Sequence, residues 1–137
     1  VYVYIKALHV FVVVTAVGGM LAVALTLRLA EAPVDDRLRR FLVGLRAWDG
    51  LVTTPALAVV WMAGYTMAFG GGWDTAPWLL VKLGPATLLT GLHLAQGAAL
   101  ARCLADGLPP PAVLRTAPAV ILGSLAAIAW LAVVKPL

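Results

Sequence analysis

Three ionisable side chains stand inside long apolar stretches of this chain: His9, Lys82 and His93. A titratable group is costly in such surroundings and is by default a functional hypothesis. Imidazole suits iron, copper and proton transfer, and a lysine at the end of an apolar slot suits a carboxylate. Lys82 and His93 are eleven residues apart. That is about three helical turns, so a helix puts them on one face ~16 Å apart. Ala86, Leu89 and Gly97 share that stripe, with Gln96 beside it. The small residues there admit a flat ligand or a second helix at close range.

The elements that must position these groups follow from composition. Of 137 residues, 63% are hydrophobic and 12% charged, and the mean hydropathy is +1.00, whereas an ordinary soluble domain is roughly 25% charged. Such a chain belongs in lipid, and its length allows one domain with a single core. A separate cofactor domain or nucleic-acid module has no room, so no nucleic-acid partner is expected despite the formal charge of +4. Cys103 is the one cysteine, which excludes an internal disulfide framework and a multi-cysteine metal site.

Uncharged stretches cover residues 7–27, 50–73, 83–101 and 116–134. The first is 21 residues long and matches the ~20 needed to cross the hydrocarbon core as a helix. Helices satisfy their own backbone in lipid, so the expected fold is all-α, an integral membrane four-helix bundle forming a single domain. Its spans fall at about 4–28, 49–71, 77–101 and 115–134. Gly70-Gly71-Gly72 supplies the turn between spans two and three, and Pro109-Pro110-Pro111 interrupts any helix between three and four. Seven arginines (28, 37, 39, 40, 46, 102 and 115) lie in the two loops between spans one and two and between three and four, against Lys6 and Lys135 near the ends. The positive-inside rule then places both termini on the outer, periplasmic side. Tyr2, Tyr4, Tyr65, Trp73 and Trp78 form an outer aromatic belt, and Trp48 sits at the inner interface. Between Pro33 and Trp48, Leu38, Phe41, Leu42, Leu45 and Trp48 recur at helical spacing, which reads as an amphipathic interfacial helix or an inward extension of span two. Ala30-Glu31-Ala32 resembles a signal-peptidase site, but the apolar run before it exceeds the usual ~7–15 residues and reads as a span.

Depth decides which groups can cooperate. At ~1.5 Å per residue from the outer surface, His9 lies ~12 Å deep, Lys82 ~6 Å, His93 ~22 Å, Met62 ~15 Å and Met67 ~8 Å. His9 therefore meets Met62 or Lys82 more readily than His93, which weighs against two histidines clamping one iron. Haem b is the leading ligand for a neutral imidazole inside a helical bundle, with one histidine on the iron and the other, or Met62, as candidate second ligand. No Cys-x-x-Cys-His occurs, which excludes covalent c-type attachment. Copper is the alternative, through Met20, Met62, Met67 and the two histidines. The structural readings are an interhelical hydrogen bond for His9 and snorkelling for Lys82.

Several segments together resemble the HemJ-type protoporphyrinogen oxidase family. They are Lys6-Ala7-Leu8-His9-Val10 with Gly18-Gly19 downstream, Thr54-Pro55, Trp78-Leu79-Leu80-Val81-Lys82-Leu83 with His93 and Gly97, Ala117-Pro118, and Val133-Val134-Lys135-Pro136. The same pieces occur in the same order over nearly the whole chain. The Lys-Leu segment is also similar to the CopD family, while the Thr-Pro segment and the Lys-Pro ending favour HemJ. The resemblance implies a bacterial inner-membrane protein that binds haem b and oxidises protoporphyrinogen IX to protoporphyrin IX. A quinone or another acceptor would take the electrons. It also implies that His9 is the leading axial ligand, that Lys82 is the family's lysine, pairing with a propionate or acting in catalysis, and that His93 is ligand, substrate contact or proton carrier.

The chain departs from the family in span one, with Val23-Ala24-Leu25 and Leu29-Ala30 in place of an aromatic-rich Leu-Pro-Arg segment and Tyr-His, and before span four, with Arg115-Thr116 in place of Asn-Glu. These departures support a second expectation: a non-catalytic, haem-binding or structural subunit of a larger respiratory or photosynthetic membrane complex. Gly84, Gly91, Gly97 and Ala98-Ala99 suit close helix contact in a homo-oligomer or with such a complex.

Overall fold

The computed structural model describes residues 1–30 and 34–135. Glu31 and Ala32 of the signal-peptidase-like site, and Pro136 of the terminal Lys-Pro pair, lie outside them. The described residues are helical and form no strand. Helix α1 spans Tyr2–Leu29, α2 Asp36–Trp48, α3 Thr54–Gly70, α4 Pro77–Asp106 and α5 Ala117–Val134. A π-helical turn, Asp49–Thr53, joins α2 to α3, and a 3-10 turn, Ala112–Thr116, leads into α5. Four helices are long and apolar enough to cross a membrane: Tyr2–Leu29, Asp36–Gly70, Pro77–Asp106 and Ala112–Val134. The fold is the expected all-α membrane bundle.

The second helix begins at Asp36, 13 residues before the expected span boundary, which is the inward-extension alternative for the amphipathic segment. The amphipathic segment does not lie apart in the interface, because α2, the π turn and α3 make one continuous 35-residue helix. The turn widens for a local reason. Pro55 has no N–H and its ring crowds the carbonyl four residues back, so an α-helix cannot pass smoothly. The Thr54 N–H instead bonds to the Asp49 carbonyl, five residues back, the pattern of a π turn.

The helix ends are set by local chemistry. Asp35 Oδ1 accepts the Leu38 N–H at 2.7 Å and caps α2. Pro77 and Pro118 occupy the first turns of α4 and α5, where a missing N–H costs nothing. Gly107, at φ 65°, takes the left-handed conformation that ends α4.

Helix α1 packs chiefly on α3 and α4 on α5, with α1 also touching α4 and α5. The dense core lies toward the loop end, where Val23, Leu27, Leu42, Leu45, Leu100 and Leu114 pack together. Met20, Ala24, Leu89, Ala117 and Ile121 continue it to mid-bundle. Arginines tie this end together: Arg39 donates to the Leu104 carbonyl at 3.0 Å and Arg28 to the Arg115 carbonyl at 3.3 Å. Both termini meet at the opposite end. Tyr2 packs edge-on against Trp73 at 5.9 Å, and Lys135 Nζ lies 4.7 Å from the Trp73 ring centre and 5.1 Å from that of Trp78. That half of the bundle is open, and the cavity lies there.

Candidate functional site

A cavity of about 390 Å³ enters the bundle from the terminal end, between α1, α3, α4 and α5. This is within the ~300–1,000 Å³ of small-molecule sites. Its floor is apolar, formed by Met20, Leu57 and Leu89. Aromatic rings make much of its wall. Trp61, Tyr65 and Phe69 follow one another along α3 with ring centres 5.6 and 6.4 Å apart. Trp61 is fixed by its Nε1–H, which donates to Thr90 Oγ1 at 3.0 Å, while the Thr90 hydroxyl donates to the Ala86 carbonyl. Three lysines, Lys6, Lys82 and Lys135, border the cavity with one acid, Asp74.

His9 and Lys82, from helices α1 and α4, line this same cavity. His9 is half-buried and rests on Gly64 of α3, where a Cβ would come within 3.4 Å of its Cε1. Its Nδ1 is closed off from solvent and finds no hydrogen-bond partner among the described residues. A Leu-sized side chain at Gly64 would fill the space the imidazole occupies. An imidazole, cations and aromatic walls around an apolar slot can hold a flat apolar molecule that carries acidic groups.

Met62 and His93 lie elsewhere. Met62 is 67% exposed, on the outer face of α3, whereas Met67 borders the cavity. His93 is 3% exposed and sits one turn beyond the floor residue Leu89. Its Nε2 is 2.9 Å from Thr54 Oγ1, and its Nδ1 is 3.7 Å from Asp49 Oδ1. Asp49 Oδ2 is 3.8 Å from Arg46. Arg46 also donates to the Gly97 carbonyl at 3.4 Å, and Gln96 Nε2 to the Met20 carbonyl at 3.4 Å. The floor of the cavity therefore separates two polar sites, one around His9 and Lys82 and one around Asp49 and His93. No group of three or more His, Cys, Asp and Glu side chains placed to hold a metal ion occurs among the described residues.

Asp49, Thr54, Trp61 and Gly64 are the site residues that sequence reading missed. Asp49 reads as the charged boundary of an uncharged run, and the only signal of its burial is Pro55 shortly downstream, which forces the wide turn. Compared with protein-family models, curated proteins and solved structures, the chain matches none.

Proposed function

We propose that this multi-pass membrane protein binds haem b in the terminal-end cavity and acts as a HemJ-like oxidoreductase on protoporphyrinogen IX in a bacterial inner membrane. The observation that carries the reading is the convergence of His9 and Lys82 on one aromatic-walled cavity. The residues lining the cavity fit the group: the His9 imidazole, an apolar slot, and lysines for propionates. His9 would hold the iron, and bound haem would supply a one-electron relay to an acceptor of the quinone class.

The chain's own residues supply the rest. Lys82, with Lys6 and Lys135 nearer the mouth, pairs with the carboxylates of a porphyrin or porphyrinogen and fixes its orientation. Trp61, Tyr65 and Phe69 cover its faces and exclude water. His93 lies below the floor and does not touch a molecule in the cavity. The arginine-rich loop end faces the cytoplasm under the positive-inside rule, so the cavity opens to the periplasmic side.

The test is a pyridine haemochrome assay and a reduced-minus-oxidised spectrum of the detergent-purified protein. A stoichiometric b-type signal is expected in the wild type and in His93→Gln, and its loss in His9→Ala. A folded wild type without haem overturns the reading. Complementation of a strain lacking protoporphyrinogen oxidase tests the activity separately. A non-catalytic subunit is the second reading, favoured by the open face of α4, where a Cβ at Gly84 or Gly91 would meet nothing within 4 Å. Stoichiometric co-purification with larger membrane subunits would support it.

A further inference from the structure

Asp49, Thr54 and His93 form a buried set outside the cavity, and its hydrogens can be counted. Thr54 Oγ1 lies 2.8 Å from the Asp49 main-chain oxygen and 2.9 Å from His93 Nε2. A hydroxyl has a single hydrogen, and a carbonyl only accepts. That hydrogen therefore lies on the bond to the carbonyl, and the second short contact requires Nε2–H of His93 to donate to Oγ1. The opposite tautomer leaves two acceptors touching at 2.8 Å or at 2.9 Å.

With Nε2 protonated, a neutral ring turns the lone pair of Nδ1 toward the Asp49 carboxylate. Oδ1 is 3.7 Å away, and both side chains are 4% exposed. Nδ1 has no other partner among the described residues. Two buried acceptors facing one another is a costly arrangement. One added proton removes the conflict, either as an imidazolium beside a carboxylate or as a carboxyl group donating to Nδ1. We infer that Asp49 and His93 form a proton-binding site that takes up one proton, on Nδ1 or on the carboxyl group.

The surroundings of the pair are nearly uncharged. The charged neighbour is Arg46 of α2, which reaches Asp49 Oδ2 and whose side chain is 46% exposed. From α1 come Gly19 and Met20, from the π turn Thr53, and from α4 Gln96 and Gly97, all uncharged. The pair is buried, with Arg46 as its charged contact, and neither residue lines the cavity. Neither ring nitrogen of His93 is left for a metal. The inference does not rest on haem binding.

The chain has two histidines, so solid-state NMR of the full-length protein in lipid bilayers, labelled with ¹⁵N-histidine and ¹³C-aspartate, reads the site directly at neutral pH. His93→Gln assigns the ring signals, or His9→Gln does so by elimination, and Asp49→Asn assigns the carboxyl. The expected result is a His93 ring protonated at both nitrogens, or protonated at Nε2 beside a protonated Asp49 carboxyl. Asp49→Asn should shift the ring to the neutral Nε2–H form, because the amide donates to Nδ1. A ring protonated at Nδ1 alone overturns the inference. So does a neutral Nε2–H ring beside an ionised Asp49.

Discussion

The His9 imidazole rests directly on Gly64 of the facing helix, with 3.4 Å between its Cε1 and the place a Cβ would take. That spacing is ordinary van der Waals contact, so Gly64→Ala should leave haem content near that of the wild type. Gly64→Leu overfills the site at a cost of about 1–3 kcal/mol, which corresponds to about fivefold to a hundredfold in affinity. Haem titration of the two variants, with His9→Ala as the reference for complete loss, measures the difference.

Lys82 should matter in proportion to the acidity of the ligand. A hydrogen bond to a charged group is worth about 1.5–3 kcal/mol, so Lys82→Gln should weaken binding of a dicarboxylate porphyrin by about tenfold or more. The corresponding porphyrin diester should bind wild type and variant alike. An equal loss for both ligands would assign Lys82 to packing rather than to carboxylate pairing.

Helix α1 and the π turn approach closely at Gly19. A Cβ on Gly19 would overlap the Thr53 hydroxyl, which is itself completely buried. Gly19→Ala should therefore destabilise the bundle by about 1–3 kcal/mol. Adding Thr53→Ala removes the overlapping hydroxyl and should recover much of the loss. Reversible unfolding in mixed detergent, compared across the four members of the cycle, checks this coupling.

At the terminal end, Lys135 lies over Trp73 and Trp78 in a left-handed conformation, φ 47°. Lys135→Ala removes a cation–π contact worth about 0.5–1 kcal/mol. Lys135→Gly loses the same contact but relieves the backbone, so it should be the milder change. Tryptophan emission should respond in both variants, and thermal unfolding should rank them.

The spans were readable because lipid imposes one rule on every residue of a crossing: uncharged side chains over enough length for a helix. The separation of His9 from His93 was readable too, since axial rise alone puts them at different depths. Met62 was assigned by depth, which carries no information about which side of α3 faces inward, and it points outward. The burial of Asp49 was hidden for a related reason. A charge at the edge of an apolar run normally marks the interface, whereas here the helix continues through it, with Arg46 and His93 as its partners.

The π turn also makes the bundle sensitive to insertions and deletions in a way that substitutions do not reveal. Each residue of an α-helix advances the helix by about 100°. Deleting one residue from Asp49–Thr53 would turn the whole of α2 by about that angle relative to α3. Leu42 and Leu45, now in the core, would swing toward the outside, and arginines would swing inward. The added residue of the wide turn thus acts as a phase correction, setting which face of a 13-residue helix meets the rest of the protein.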